Sequence, residues 1–177
     1  ISADSQLVYQ QLNIGTAKPT PEEQQGIPHH MIDLVLPTQA YTTQEYQKAS
    51  LEHLKTLHEK DKTPVVVGGT GFYLQAILQG MILPEVPPDK AFREKMHRLS
   101  EEQGHQHLHR MLAEKDPVRA EALFETDTFR IIRALEIIEH TGKPVPSLKH
   151  EPLPFDVIWV GLTYEDRDRH RTLIEKR

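Results

Sequence analysis

The sequence predicts an α/β core that is interrupted by a helical segment. The β-branched run Pro64–Val67 leads directly into Gly68-Gly69-Thr70-Gly71, and a helical pattern follows at once. A strand, a glycine turn and a helix in this order are typical of α/β folds. Helical patterns then fill most of residues 89–141. We therefore assign residues 1–83 and 151–177 to the core and residues 84–150 to a helical insert.

Composition restricts the classes of protein that are possible. The 177 residues include no Cys, which excludes a disulfide framework, a thiol nucleophile and a cysteine zinc site. No apolar run approaches the ~18 residues of a membrane span, and no signal peptide is visible, so we expect a cytoplasmic protein. A formal net charge of -5 gives no general signature of nucleic-acid binding, although a local basic face stays possible.

The first part of the core contains one long irregular segment. Residues 6–41 carry many Gly and Pro turn signals, with one possible short strand at 31–35. Thr42 and Glu45 have the spacing of a capping box, and the apolar positions that follow predict a helix to about residue 60. The run 64–67 predicts a parallel strand that is buried on both faces. A helix over 72–78 is closed by Gly80.

The second part begins with a proline linker at residues 84–88. Four helices are then predicted, at 89–103, 105–115, 117–124 and 128–141, with Asp127 as the cap of the last and Gly142 as its end. After a second proline linker, Val157–Leu162 predicts a strand and Asp166 starts a charged helix.

Asp4 and the glycine turn are the first candidates for chemistry. Asp4 follows a short apolar approach, and ligands of α/β sheets bind outside the carboxyl ends of strands. The loop Gly15-Thr16-Ala17-Lys18 offers a hydroxyl and a cation for the same cleft. Residues 68–71 offer backbone N–H groups to an anion, although they do not form a Gly-x-x-x-x-Gly-Lys-Ser/Thr phosphate loop. The structural alternatives are a turn cap for Asp4 and a plain connection for the glycines.

The charged helices allow two interpretations. Arg93, Arg130 and Arg133 could face an anionic ligand, but surface ion pairs are the simpler reading, since Glu136 follows Arg133 at three residues. His105 and His109 share a helix face. Without a Glu between them, a solvated face is favoured over a metal site.

The ordered segments together resemble the tRNA dimethylallyltransferase (tRNA isopentenyltransferase) family. The resemblance runs in order over nearly the whole chain, and only the combination of motifs is specific. The matching segments are Ile1–Ser5, Val8-Tyr9, Ile14–Pro19, Pro28–Asp33, Val66–Leu74, Asp116-Pro117, Arg130–Glu136 and Thr141–Pro144.

The resemblance implies a P-loop-kinase-like parallel sheet core with a helical insert that grips the anticodon stem-loop of tRNA. It implies transfer of a dimethylallyl group from dimethylallyl diphosphate to the exocyclic amine of the adenosine 3′ of the anticodon, with Mg²⁺. The P-loop of the family would precede Ile1 and further basic residues would follow Arg177. We therefore expect the middle of a longer, monomeric enzyme, not associated with a membrane, and expect this piece alone to be inactive.

The resemblance also implies residue roles. Asp4 would accept the amine proton as the base, with Thr70 beside it. The flipped nucleotide and the RNA would be contacted by a larger set: Asp4, Ser5, Gln6, Leu7, Thr70, Arg93, Phe129, Arg130, Ile131, Ile132 and Arg133.

Three other functions stay open at this point. An adenylate isopentenyltransferase would prenylate a free nucleotide, for which a helical insert at 84–150 has no use. A small-molecule P-loop kinase would show phosphoryl transfer without prenylation. A non-catalytic RNA-binding module would bind tRNA and form no product.

Overall fold

A computed structural model describes residues 1–176, which fall into two compact units. The first unit comprises Ile1–Ile82 together with the chain from Lys149 onward. The second unit comprises Leu83–Leu148. Each unit has its own apolar core.

The helices of the first unit begin at local capping signals. Helix α1 (Pro21–Gln24) starts at Thr20, and helix α2 (Thr43–Glu59) starts at Thr42. Each Thr forms a capping box with the Glu three residues later, as predicted for Thr42 and Glu45. Helix α3 (Gly71–Leu78) follows the glycine turn, and α8 (Arg167–Glu175) starts at Asp166 as predicted.

The core of the first unit forms where α2 packs on α3. The rings of Tyr46 and Tyr73 stack with centroids 3.7 Å apart. The Tyr46 hydroxyl is buried and donates to the carbonyl of Ser2 at 2.9 Å, which ties α2 to the N-terminal segment. The remaining buried members of this cluster are Ala3, Val8, Met31 and Ile77.

The only sheet among residues 1–176 has two short strands. Strand β1 (Met81–Ile82) pairs antiparallel with β2 (Lys149–His150) in the register Met81–His150 and Ile82–Lys149. Two isolated parallel bridges, Ser2–Val67 and Tyr9–Val35, join the irregular N-terminal segments. The part of the chain described here is therefore mixed helical with a small sheet, and the kinase-like parallel core stays a prediction.

Three strand predictions are wrong. The run 64–67 is parallel to the N-terminus at Ser2, but the side chains of Val65 and Val67 are each 66% exposed, so it is not buried on both faces. Residues 157–162 form no strand and are largely exposed. Segment 31–35 forms a single bridge, at Val35, and no strand. Met31 and Asp33 have positive φ angles of 67° and 56°, which take the backbone out of the extended conformation. A strand requires a neighbouring strand that bonds its backbone N–H and C=O groups. Within residues 1–176, each of these runs forms at most a single bridge.

The second unit is a cluster of four helices. They are α4 (Lys90–Gln103), α5 (His105–Lys115), α6 (Pro117–Glu121) and α7 (Thr128–Thr141). Their positions confirm the predicted helices, except that α6 ends three residues early. Side chains of Asp89, Asp116 and Asp127 cap α4, α6 and α7, and Gly142 ends α7 in the left-handed conformation.

The apolar face of α7 organises the core of the second unit. Ile131, Ile132, Ala134, Leu135 and Ile138 pack with residues of the other three helices. The other buried members are Met96, Leu108, Leu112, Ala120 and Leu123. Throughout residues 1–176, none of the helices combines the length and the hydrophobicity that crossing a membrane requires.

Candidate functional site

Asp4 lies in a tight turn at the N-terminal end of the first unit. Its Oδ1 accepts hydrogen bonds from the backbone N–H of Gln6 at 2.7 Å and of Leu7 at 3.4 Å. The turn-cap alternative is therefore correct for this oxygen. The other oxygen, Oδ2, has no hydrogen-bond partner within residues 1–176, and the residue is partly exposed. One oxygen thus shapes the turn while the other is available to a ligand.

The hydroxyl of Thr70 holds the glycine turn against this N-terminal turn. Thr70 Oγ1 accepts from the backbone N–H of Ser5 at 2.9 Å and lies 3.3 Å from the Ser5 hydroxyl. The Thr70 N–H donates to the carbonyl of Ala3 at 3.0 Å. Although Thr70 is the N-cap residue of α3, its side chain makes no capping bond. The structure therefore brings Thr70 to the turn that contains Asp4 and Ser5, and Ser5 and Thr70 are 65 residues apart in sequence.

Gly68 permits this close approach. A Cβ at Gly68 would lie 2.2 Å from the carbonyl oxygen of Ala3, far inside contact distance. A Cβ at Gly69 or Gly71 would meet nothing within 4 Å. The glycine turn therefore contacts the backbone of Ala3 at Gly68. Gly69 and Gly71 have open space around them, and an anion bound by this turn would have to lie there.

The loop that contains Lys18 serves the fold. The Lys18 side chain is 6% exposed, and its ammonium group donates to the Tyr9 carbonyl at 2.7 Å and pairs with Asp33. Thr16 donates its hydroxyl to the Leu12 carbonyl. The sequence predicts that this loop supplies a hydroxyl and a cation to the cleft, but in the structure both groups bind partners within the fold.

A buried carboxylate joins two of the predicted RNA-binding arginines in the second unit. Glu136 is 1% exposed. Arg93 binds it with two bonds, from Nε to Oε1 at 2.8 Å and from Nη2 to Oε2 at 2.7 Å. Arg133 Nη1 donates to Oε2 at 2.5 Å, and the backbone N–H of Asp89 donates to Oε1 at 2.7 Å. The ion pair that the spacing of Arg133 and Glu136 favours is present, but it is not a surface pair, because the carboxylate is buried in the core.

The other predicted RNA-binding residues divide by exposure. Phe129 is 73% exposed, and the Arg130 side chain is 69% exposed with a salt bridge of 3.3 Å to Asp127. Ile131 and Ile132 are 0% and 2% exposed. Their side chains belong to the helical core, so a contact of these side chains with RNA would require that core to open. In the first unit Gln6 is exposed and Leu7 is partly buried.

The histidines of α5 bind neighbouring polar groups. His105 Nδ1 lies 3.0 Å from the Ser100 hydroxyl and 2.8 Å from the Thr128 hydroxyl. His109 Nε2 lies 2.9 Å from the Ala120 carbonyl and 3.1 Å from that of Leu123. These contacts link helices, so His105 and His109 do more than form a solvated face.

Residues 1–176 contain no group of three or more His, Cys, Asp or Glu side chains that could hold a metal ion. The carboxylate of Asp4 alone does not form a protein-built Mg²⁺ site. Mg²⁺ is commonly held by one or two carboxylates together with substrate phosphates.

Glu136 is the functional candidate that sequence reasoning missed. Its position, four residues after the buried Ile132, places it on the apolar face of α7. A carboxylate on that face requires partners, and Arg133 at three residues was a visible one. Arg93, which is 43 residues away, carries no such sequence signal.

The chain belongs to the family described as IPP transferase, whose model matches residues 7–177. It is 42% identical over 183 residues to the tRNA dimethylallyltransferase of Caldanaerobacter subterraneus subsp. tengcongensis, with coverage of 100% of this chain and 58% of that protein. It is 43% identical over 180 residues to the tRNA dimethylallyltransferase of Pelotomaculum thermopropionicum, with coverage of 100% and 57%. The chain thus spans little more than half the length of these relatives.

A solved structure supports the same relationship. A eukaryotic dimethylallyltransferase acting on tRNA matches with a TM-score of 0.62 and 30% identity, over 81% of this chain and 35% of that one. The family resemblance found in the sequence is confirmed.

Proposed function

We propose that this chain is part of an enzyme that transfers a dimethylallyl group from dimethylallyl diphosphate to the exocyclic amine of the adenosine 3′ of the anticodon in tRNA. Membership of the IPP transferase family and the likeness to tRNA dimethylallyltransferases support the reaction class. A kinase-like sheet completed by the rest of the protein, a monomeric state and a cytoplasmic location are parts of the same proposal.

The observation that carries the proposal is the junction of the Asp4 turn and the glycine turn through Thr70. It leaves one carboxylate oxygen of Asp4 without a partner within residues 1–176, in the turn that the partly exposed Thr70 holds in place through Ser5. In the proposed step the C–O bond to the diphosphate breaks, and a bond forms between the allylic carbon and the adenine nitrogen. The amine proton passes to Asp4 Oδ2, and diphosphate is the leaving group.

The remaining contribution of these residues is to position the adenine. The prenyl carbon ionises readily once its diphosphate departs, so placement of the two reactants and stabilisation of charge supply most of the acceleration. We propose that Ser5, Gln6, Leu7 and Thr70 line the pocket of the flipped adenosine. Mg²⁺ would enter with the diphosphate, whose oxygens would supply most of its ligands.

The experiment is a prenylation assay on the complete protein that contains this chain. Purified protein, dimethylallyl diphosphate and unmodified tRNA are incubated, and the nucleosides are analysed by mass spectrometry. The expected product is an adenosine that carries one dimethylallyl group next to the anticodon. A parallel reaction contains adenylate in place of tRNA. Another contains ATP and small-molecule acceptors and tests for phosphoryl transfer.

Each other outcome contradicts the proposal in its own way. Prenylated adenylate without prenylated tRNA would indicate the free-nucleotide enzyme. Phosphoryl transfer without prenylation would indicate a kinase. Binding of tRNA without product would indicate a non-catalytic RNA-binding protein.

A further inference from the structure

In the cluster formed by Arg93, Glu136 and Arg133, the two arginines donate different numbers of hydrogen bonds to the carboxylate. The Glu136 carboxylate accepts four hydrogen bonds, of which Arg93 supplies two. Burial alone would raise the pKa of Glu136, but the hydrogen bonds from the two arginines and from Asp89 outweigh it and lower the pKa to about 2. At neutral pH the cluster therefore holds one negative and two positive charges.

The two arginines differ in what they leave free. Arg133 uses Nη1 for Glu136 and Nη2 for the carbonyl of Val86 at 2.9 Å, so both of its terminal nitrogens have partners. Arg93 uses Nε and Nη2, and its Nη1 has no partner within residues 1–176. This nitrogen is also not among the buried unpaired atoms. Arg93 thus presents a terminal N–H₂ group to solvent from a guanidinium that two bonds hold in place.

We propose that Glu136 is a positioning residue that orients Arg93 as the phosphate-binding arginine of the second unit, and that Arg133 anchors the segment at Val86 without binding RNA. The inference rests on the proposed function in that it takes the ligand to be the tRNA backbone. A guanidinium suits a phosphate because it combines charge with N–H donors in a fixed plane. A guanidinium held by a buried carboxylate loses less side-chain entropy when it binds.

The substitution Glu136→Gln tests the proposal, because the two possible roles of Glu136 predict opposite changes in the affinity for tRNA. If Glu136 only neutralises charge, its removal should strengthen the attraction between protein and tRNA. If Glu136 positions Arg93, binding should weaken although the net charge becomes more positive. In either orientation of the Gln amide, one of the oxygens that Arg93 binds is replaced by an N–H₂ group, so the two-bond pairing is lost.

The matched control is Glu139→Gln, which changes the charge equally on the same helix at an exposed position. The affinity of the complete protein for tRNA is measured over a range of salt concentrations. We expect Glu136→Gln to bind roughly tenfold more weakly than the unmodified protein, and Glu139→Gln to bind at least as well as the unmodified protein. Affinity of Glu136→Gln equal to or above that of Glu139→Gln would overturn the positioning role.

A second pair of variants separates the arginines. Arg93→Gln should make the slope of log affinity against log salt shallower by about one, as expected for one lost phosphate contact. Arg133→Gln should lower the thermal stability and leave that slope unchanged. An equal change of slope in the two variants would overturn the division of roles.

Folding is checked by far-ultraviolet circular dichroism, and only variants with the helix signal of the unmodified protein are compared. If Glu136→Gln and Arg133→Gln both lose the helix signal, Arg93→Lys tests the proposal instead. This substitution keeps the positive charge of a partly exposed side chain but removes the paired N–H donors of the guanidinium. Weaker tRNA binding by Arg93→Lys supports the proposal, and unchanged binding overturns it. Failure of the unmodified protein to bind tRNA would instead contradict the proposed function itself.

Discussion

The two oxygens of one carboxylate have different surroundings at Asp4. Oδ1 shapes the turn through the N–H groups of Gln6 and Leu7, whereas Oδ2 has no partner within residues 1–176. A base must offer a free oxygen, and a turn requires only an acceptor. A substitution that keeps the acceptor and removes the basicity can therefore separate the two roles.

Asp4→Asn is that substitution. The Asn side-chain oxygen can still accept from Gln6 N–H, so we expect the fold to persist while single-turnover prenylation by the complete enzyme falls by ~10²-fold or more. Asp4→Ala also removes the turn acceptor and should lower stability by about 1 kcal/mol besides. Rapid-quench measurement of prenylated tRNA gives the rate, and a near-normal rate for Asp4→Asn would exclude Asp4 as the base.

Among the elements, the approach of the glycine turn to Ala3 depends on Gly68. Its missing side chain lets the parallel bridge between Ser2 and Val67 form, and the same approach brings Thr70 to Ser5. The backbone of Ala3 is the obstacle to any Cβ here, and backbone is less able than a flexible side chain to move away.

Gly68→Ala should therefore lower the free energy of unfolding by about 1–3 kcal/mol, the usual cost of an overpacked site. Gly69→Ala is the matched control, because its Cβ meets nothing within 4 Å. Gly69→Ala should leave stability unchanged or raise it by about 0.4–1 kcal/mol, since it reduces the freedom of the unfolded chain. Denaturant unfolding of the two variants checks this, and equal stability would show that Ala3 moves aside readily.

Helices were predictable from sequence where strands were not, and the reason is physical. The signals of α2 and α7 are local, since Thr42, Glu45, Asp127 and Gly142 all lie within a turn of the helix ends that they determine. A strand depends on its neighbour, so the apolar run 157–162 looks like a strand and yet has none to pair with in the described part of the chain. The same distinction between local signals and long-range contacts applies to the candidate site.

At the candidate site, sequence reasoning could select Asp4 and Thr70 as residues but could not supply the contact between Thr70 and Ser5. That contact joins segments 65 residues apart, and nothing in either segment specifies the other. The exposed Arg130 and the partly buried Arg93 look alike in sequence. Only packing shows that one pairs with a nearby surface carboxylate and the other with a buried one.

On the scale of the whole molecule, the largest pKa shifts of the two units lie at opposite ends of the pH range. In the second unit the hydrogen bonds to Glu136 overcome its burial and lower its pKa from 4.5 to about 2. In the first unit burial raises the pKa of Tyr46 and of Tyr73 from 10.0 to about 12. The acid-sensitive group and the alkali-sensitive pair thus lie in different units.

The sign of each effect follows from linkage. A lowered carboxyl pKa stabilises the folded state above pH 4.5, and this contribution is lost as the pH falls from 4.5 toward 2. A raised tyrosine pKa stabilises the folded state below pH 10, and this contribution is lost as the pH rises from 10 toward 12. Titration of Glu136 should therefore weaken the helical unit as the pH falls from 4.5 toward 2, and titration of Tyr46 and Tyr73 should weaken the first unit as the pH rises from 10 toward 12.

Thermal melting followed by circular dichroism across both pH ranges tests this assignment. Glu136→Gln should reduce the loss of stability in acid and leave the alkaline loss unchanged, because the carboxyl group that titrates is gone. Tyr46→Phe should do the reverse. It should also reduce the part of the tyrosinate absorbance that appears only as the pH approaches 12, because Tyr46 no longer contributes to it. Effects on separate groups should add, because the two sites share no partners. If either substitution changed stability equally at both ends of the pH range, the assignment of the loss between pH 4.5 and 2 to Glu136 and of the alkaline loss to Tyr46 would be wrong.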